Sequence, residues 1–364
     1  MNPGKFLLQK VALAVMVVTS VNVLAQPAVT TPRVPSPAAS VNQTIGISTI
    51  GVKYSRPSVK GREIWGALVP YGWNVQQFGA GNPAPWRGGA NENTVLSLSH
   101  PATIEGQAVP AGDYGLFFVI NKDNSGEVVL SKESRNWGSF WYDQKADQMR
   151  AKIQLRSIPE TDLLTYDFTS ITKNSAELDL NWEKKQFPIR IEFAVDSIVI
   201  DNAVKELKGA TGFAWQGYAS AANYALQNKT NYDQALTWIN QAIVMNNNFN
   251  TVITKARILE QMGKKEESGK IMKEAMDLST EVELNAYGYQ LLNAGNQEQA
   301  IDMFLLNTQR HPKSANTWDS LGEAYATKGD KKNAIISFKK SLSMNPAANV
   351  KANSEKFLHQ LGAQ

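Results

Sequence analysis

Apolar and polar positions alternate along the first half of the chain. Between residues 176 and 183 every second residue is apolar (AELDLNWE), and the segments 164–169 and 189–193 repeat this period of two. Such alternation is typical of strands that bury one face. Further strand-like runs occupy 45–54, 94–99, 114–120, 127–130 and 152–156. About eight short strands separated by turn residues predict an antiparallel β-sandwich or jelly-roll-like domain over residues 41–196.

The apolar spacing becomes helical after residue 197. Residues 197–211 predict a linking helix that ends at Gly209. Beyond it, six residues of one unit recur 34 positions later: Gly288, Gly295, Ala300, Ile301, Phe304 and Pro312 return as Gly322, Gly329, Ala334, Ile335, Phe338 and Pro346. A fixed period of this length indicates a repeat protein, in which each unit buries its apolar face against its neighbours.

The last complete unit carries a recognisable set of residues, namely Trp318, Leu321, Gly322, Tyr325, Ala334, Phe338 and Pro346. In this spacing the unit resembles the tetratricopeptide repeat (TPR) family. The resemblance implies an α-solenoid of helical hairpins. We expect about four units over residues 212–348, the last two at 281–314 and 315–348, and a capping helix at 349–364.

The beginning of the chain has the pattern of a signal peptide over residues 1–25. Lys5 and Lys10 precede an apolar run at 11–24, which is too short to span a bilayer, and small residues lead up to Ala25. Residues 26–40 are Pro-rich and predict an extended linker. We therefore expect an exported protein, periplasmic or secreted from a Gram-negative cell, with no stable membrane span after cleavage.

Composition excludes several classes of site. The chain has no Cys and three His, so neither a disulfide scaffold nor a thiolate or His-rich metal centre is expected, and no cofactor is predicted. The formal net charge is +4, and it falls when Lys5 and Lys10 leave with the signal peptide. Charge therefore gives no reason to expect nucleic-acid binding.

Two strings in the β half are unusual, YSRPSVKGR at 54–62 and WRGGANE at 86–92. With the segments 110–114 and 136–140, they resemble a family of exported bacterial domains of unknown function, sometimes joined to TPR units. The resemblance extends over residues 36–195 and implies no activity.

The same segments supply the candidate site of the β domain, which comprises Arg56, Arg62, Trp65, Trp86, Arg87, Asn91, Glu92, Asp113 and Trp137. One interpretation is an internal arginine–carboxylate network, to which Glu63 would also contribute. The other is a cleft for a carbohydrate or an anionic small molecule, with tryptophan rings as apolar faces. Glu92 and Asp113 could serve glycoside hydrolysis only at a fixed separation. No nucleophile-elbow or phosphate-loop string is present, so catalytic residues are not assigned.

The TPR resemblance also implies a concave groove lined by the first helix of each unit. Its positions correspond here to Asn285, Tyr289, Leu292, Asn316, Asp319 and Glu323, and in the looser units to Tyr224, Gln227, Ile253, Arg257 and Glu260. One arginine against three acids is not a multiple-cation clamp for a terminal carboxylate. We expect instead an extended peptide held by amides, with an apolar side chain against Tyr289 and Leu292. Docking of the array onto its own β domain is the alternative.

These patterns favour an exported, non-catalytic interaction or scaffold protein that binds a protein or peptide through its TPR array. In the alternative, the β domain is a carbohydrate- or anion-binding module or a hydrolase, and the array localises it.

Overall fold

The computed structural model describes residues 35–363, so the predicted signal peptide lies outside the described residues. The described chain has two parts, an antiparallel β domain and a helical array. Both parts of the predicted fold class are therefore confirmed. None of the described helices is both long and apolar enough to cross a membrane.

The β domain contains twelve strands, β1 Ala38–Ile45, β2 Ser48–Ser55, β3 Asn74–Val75, β4 Pro83–Ala84, β5 Val95–Leu98, β6 Ala102–Ile104, β7 Gln107–Val109, β8 Gly112–Ile120, β9 Ser125–Ser131, β10 Asp147–Gln154, β11 Arg156–Thr169 and β12 Ser175–Glu192. Six form one sheet in the order β1-β2-β5-β8-β9-β10, and four form another in the order β11-β12-β6-β7. Strands β3 and β4 form a separate pair. Because β1 begins at Ala38, the end of the predicted linker is already strand.

One apolar core joins the inner faces of the two larger sheets. Leu178, Leu180 and Trp182 from β12 are buried in it together with Leu96 and Leu116 from the other sheet. Successive side chains of a strand point to opposite faces, so these three residues, which alternate with polar ones in the sequence, share one face of β12. The period of two thus places one face of β12 in the core.

The helical array begins directly after β12 and contains ten helices, α1 Val195–Glu206, α2 Trp215–Gln227, α3 Tyr232–Met245, α4 Phe249–Gln261, α5 Lys265–Leu278, α6 Glu281–Asn293, α7 Gln297–Arg310, α8 Ala315–Lys328, α9 Lys331–Leu342 and α10 Ala348–Gln360. Four hairpins, α2/α3 to α8/α9, are the repeat units, and α10 follows them. The linking helix α1 ends at Glu206, before the predicted stop at Gly209.

Close contact inside a hairpin explains the repeated glycine. A Cβ on Gly288 would lie 2.7 Å from the ring of Phe304, and one on Gly322 would lie 2.7 Å from the ring of Phe338. Both phenylalanines are fully buried. A Gly in the first helix therefore lets the large aromatic ring of the second helix approach the backbone.

Helix α1 belongs to both parts of the molecule. Val195 lies in the β core. It packs so closely on Gly46 that a Cβ added to this glycine would lie 2.5 Å from the Val195 Cγ1 atom. Ile200, on the same helix, lies in the first core of the array. Between them, Asp196 accepts hydrogen bonds from the Tyr224 hydroxyl at 2.9 Å and from the Lys173 ammonium at 3.1 Å.

Candidate functional sites in the β domain and the helical groove

The loop 86–92 is fixed to the sheet beneath it. The backbone N–H of Trp86 donates to the Phe118 carbonyl at 2.8 Å, and that of Phe118 donates to the Trp86 carbonyl at 2.7 Å. Gly88 has φ +56°, and its carbonyl accepts the Tyr166 hydroxyl at 2.9 Å. A Cβ on Gly88 would lie 2.5 Å from that hydroxyl oxygen. This part of the unusual string is therefore required by backbone conformation and close packing.

Tryptophans from three segments pack on one another below this loop. The ring centroids of Trp65 and Trp86 are 5.8 Å apart and nearly perpendicular, and Trp86 stacks on Trp182 at 5.7 Å. The Trp65 indole N–H donates to the Glu183 carboxylate at 3.1 Å. Trp65 is thus part of an aromatic cluster, whereas Trp137 is 52% exposed and lies outside it.

The three candidate arginines donate to oxygens that are not carboxylates. Arg56 donates to the Leu164 carbonyl at 2.9 Å and to the Thr165 hydroxyl at 2.6 Å, and Arg62 donates to the Val59 carbonyl at 3.1 Å and to that of Ser58. Over residues 35–363, the ion pairs that the structure contains involve none of the three arginines. The described residues thus lack the expected network between these arginines and carboxylates: Arg56 ties the end of β2 to β11, and Arg62 braces its own loop segment.

Arg87 is the most enclosed of the three. It donates to the Asn91 carbonyl, and its guanidinium lies 5.4 Å from the centroid of the Phe140 ring. Gly138 packs so closely that a Cβ there would lie 2.3 Å from the guanidinium carbon. Burial lowers the pKa of Arg87, because a charged group loses hydration there.

A cleft of about 400 Å³ opens beside Arg87. Its lining consists of Pro35, Ser36, Pro57, Ser58, Lys60, Arg62, Leu68, Val69, Trp86, Arg87, Gly89, Ala90, Asn91 and Trp182. Of the nine candidate residues, the structure thus brings together Arg62, Trp86, Arg87 and Asn91. The charged side chains of this lining are all cationic.

The remaining candidates lie elsewhere. Arg56, Trp65, Glu92, Asp113 and Trp137 are not part of the cleft lining. Asp113 accepts the Ser97 hydroxyl at 2.6 Å on the β5–β8 pair, and Glu92 lines a different pocket beside β1 and β2. No carboxylate pair therefore faces this cleft among the described residues. The same residues, 35–363, contain no group of three or more His, Asp or Glu that could hold a metal ion.

A second site follows the first helices of three successive units. A groove of about 870 Å³ is lined by Trp215, Ser220, Asn223, Tyr224, Gln227, Phe249, Asn250, Ile253, Thr254, Arg257, Val282, Glu283, Ala286, Tyr287 and Gln290. Four residues named from the looser units, Tyr224, Gln227, Ile253 and Arg257, are in this lining. Helix α6, however, contributes Val282, Ala286 and Gln290 in place of Asn285, Tyr289 and Leu292.

The predicted residues on α6 and α8 lie in the seam between neighbouring helices. The Tyr289 hydroxyl donates to Glu323 at 3.0 Å, and the Asn353 amide on α10 donates to Asp319 at 2.8 Å and to Glu323 at 2.6 Å. Asp319 also accepts the Ser354 hydroxyl.

The other three predicted groove residues are half-buried. Leu292 packs against the core shared by α6, α7 and α8, Asn316 lies in the first turn of α8, and Asn285 has a side-chain oxygen that is buried without a hydrogen-bond partner. Of the predicted groove residues, Tyr289, Asp319 and Glu323 are therefore the ones whose polar groups are taken up by hydrogen bonds between helices.

Comparisons with known proteins agree with this architecture. A family model described as "Protein of unknown function (DUF2911)" matches residues 36–191, and a tetratricopeptide repeat model matches residues 315–347. No protein of curated function matches the chain significantly.

Several solved structures are similar to the helical part. YrrB, titled a TPR protein with an unusual peptide-binding site, is 18% identical, with 44% of this chain and 84% of that one covered and a TM-score of 0.27. PilF of Pseudomonas aeruginosa is 19% identical, with 42% of this chain and 71% of that one covered and a TM-score of 0.26. MamA of Desulfovibrio magneticus RS-1 is 15% identical, with 42% of this chain and 92% of that one covered and a TM-score of 0.24. This chain joins a DUF2911 domain to a C-terminal tetratricopeptide array.

Proposed function

We propose that this protein is an exported, non-catalytic interaction protein whose array binds an extended peptide or protein segment along α2, α4 and α6. The observation that carries the proposal is the groove formed by three consecutive first helices. All of its lining residues lie between Trp215 and Gln290, so the β domain does not occupy it. Export is supported by the basic and apolar pattern of residues 1–25.

The groove offers hydrogen bonds in the form that an extended backbone needs. The side-chain amides of Gln227, Asn250 and Gln290 are exposed, and within residues 35–363 they have no hydrogen-bond partner. Each amide has donors and an acceptor, so it can satisfy both the N–H and the C=O of one peptide unit. Their distribution over α2, α4 and α6 suits a segment that crosses all three helices.

Charge and apolar surface define the segment further. Arg257 and Glu283 are the charged residues of the lining, and their charges are opposite. A strongly charged segment would therefore gain little there. Val282 is 75% exposed beside Tyr287, and it offers a surface for an apolar side chain of the partner.

Filling the groove tests this proposal. A random peptide library is displayed on phage and selected on the purified protein, and the selected peptides are then measured against two variants. Ala286 is exposed inside the groove, so Ala286→Arg places a long side chain across it. Ala352→Arg is the matched control, because Ala352 is an exposed alanine on α10 outside the groove.

We expect the selected peptides to bind wild type and Ala352→Arg equally, and Ala286→Arg at least about tenfold more weakly. Equal binding to both variants would show that the peptides bind elsewhere. Failure to select any peptide would favour an array whose partner is a folded surface.

The hydrolase alternative has less support, because Glu92 and Asp113 do not line the cleft beside Arg87. The anion-binding alternative for the β domain is supported by the three cationic residues that line this cleft, Lys60, Arg62 and Arg87.

A further inference from the structure

We propose that the cleft of the β domain between residues 57–62 and 86–91 binds a small anionic ligand. The ligand carries a carboxylate or phosphate group that meets Arg62 and Arg87, and an apolar body that lies over Trp86. This proposal is independent of the helical groove, since none of the cleft-lining residues belongs to the array.

The first argument is the sign of the charge. Lys60, Arg62 and Arg87 line the cleft, and no carboxylate does so among the described residues. A nearby carboxylate, Asp162, accepts the backbone N–H of Lys60 at 3.1 Å but is not part of the lining. Three cations around a small concave surface attract an anion, and low-dielectric walls strengthen that attraction.

The second argument is that both guanidinium groups are held in place yet keep free donors. Arg62 is tied back to the carbonyls of Ser58 and Val59, and Arg87 is tied to that of Asn91. Within residues 35–363 these are the hydrogen bonds that the structure gives to the two side chains. A guanidinium has five N–H donors, so several remain for a carboxylate or phosphate oxygen.

The third argument is the enclosure of Arg87. Phe140 and Gly138 cover its guanidinium, and burial lowers its pKa. A buried cation without a carboxylate partner is unfavourable, and a bound anion would relieve this cost.

The cleft also has an apolar side formed by Val69, Trp86 and Trp182. Its volume of about 400 Å³ falls within the range of small-molecule sites. An aromatic or aliphatic body placed there would gain from contact with the indole ring of Trp86. Carboxylate and phosphate present the same oxygen geometry to an arginine fork, so both sources are tested.

The first experiment titrates the purified protein with 3-phenylpropionate, with phenyl phosphate and with the neutral 3-phenylpropionamide, and measures heat by calorimetry. We expect at least one anion to bind, and the amide to bind at least about tenfold more weakly. The stronger anion identifies the ligand class. Equal affinity for the amide, or no binding of either anion, would overturn the proposal.

The second experiment compares variants. Arg62→Gln and Arg87→Lys should each weaken the preferred anion about tenfold, because a Gln has no charge and a Lys has no planar fork. Arg135→Gln is the control, since Arg135 is exposed, outside the cleft and free of ion pairs in the described structure.

Arg62 is exposed, so its variant should keep the fold even if Arg87→Lys does not. Equal anion affinities for Arg62→Gln and Arg135→Gln would contradict the assignment.

Discussion

At the scale of single residues, the helical array contains a carboxylate in an unfavourable place. Asp319 on α8 is 5% exposed. Burial raises its pKa and the charge of Glu323 adds to this, whereas hydrogen bonds from Ser354 and Asn353 oppose the rise. The net shift is upward, so the folded array holds the Asp319 proton more tightly than the unfolded chain does.

Asp319 should therefore make the array more stable as pH falls. Because the pKa of Asp319 is higher in the folded array than the value of about 3.8 in the unfolded chain, the free energy of unfolding rises as the pH drops through the folded pKa towards the unfolded one. Asp319→Asn should remove this contribution, so that wild type gains stability relative to the variant between pH 7 and that range. Urea unfolding at several pH values measures the difference.

The exposed Asp302 on α7 provides the control for that series. Asp302→Asn removes one surface charge and leaves the buried cluster around Asp319 intact, so the difference between the two variants isolates Asp319. Parallel curves for Asp319→Asn and Asp302→Asn would mean that the proton affinity of Asp319 does not change on folding.

At the scale of elements, the space between paired helices sets which helix residues are allowed. Gly322 lies in the interior of α8, where alanine is normally the better helix former. The ring of Phe338 on α9 occupies the place of its missing side chain. Packing between helices here overrides propensity within a helix.

Two glycine substitutions should therefore have opposite signs. Gly322→Ala should lower the free energy of unfolding of the array by about 1–3 kcal/mol through overpacking. Gly269→Ala on α5, where no atom beyond its chain neighbours and the nearby backbone of its own helix lies within 4 Å of the new Cβ, should raise this free energy by about 0.5–1 kcal/mol. Chemical denaturation measures both. A stabilising effect of Gly322→Ala would show that α8 and α9 can move apart to admit the methyl group without a loss of free energy.

The long elements were predictable because their period is visible in the chain. The alternation in β12 and the 34-residue recurrence of Gly288 follow directly from side-chain burial. Strands β3 and β4 have two residues each and are too short to present a period. Their existence depends on pairing with each other, which only the folded structure supplies.

The sequence was enough to name candidate site residues, but not to identify the groups that these residues contact. Arg56 and Arg62 bond to backbone carbonyls, and a carbonyl has no signature in a sequence. The groove residues of α6 depend on how that helix packs against α4 and α8. Ala286 and Gln290, which line the groove, could have been found only from that packing.

At the scale of the whole molecule, α1 connects the two parts as a shared structural element. Val195 is buried in the β core, and Ile198 and Val199 pack against it. Ile200 faces the first core of the array. The boundary between the parts thus runs through one helix, so a cut within α1 removes apolar contacts from one side or the other.

Fragments that end on either side of α1 should differ in stability. We expect residues 35–207 to fold as a soluble β domain, and residues 35–193 to be less stable by about 2–4 kcal/mol because Val195 is lost from the core. The fragment 35–213 adds only a segment that lies outside both cores, so its free energy of unfolding should equal that of 35–207. Thermal and chemical unfolding compare the three. An unfolded 35–207 fragment would show that the β domain depends on the array.

The shared helix also determines how force would pass through the molecule. Val195 and Ile200 are five residues apart, a rise of about 7.5 Å along α1. Where the side chains of α1 contact both cores, tension applied to the array would have less than two helical turns to cross before reaching the β core. Yielding at this joint would draw a buried side chain into water and break the contacts of Asp196 with Tyr224 and Lys173. Separating the two parts at this joint would therefore cost both apolar burial and these hydrogen bonds.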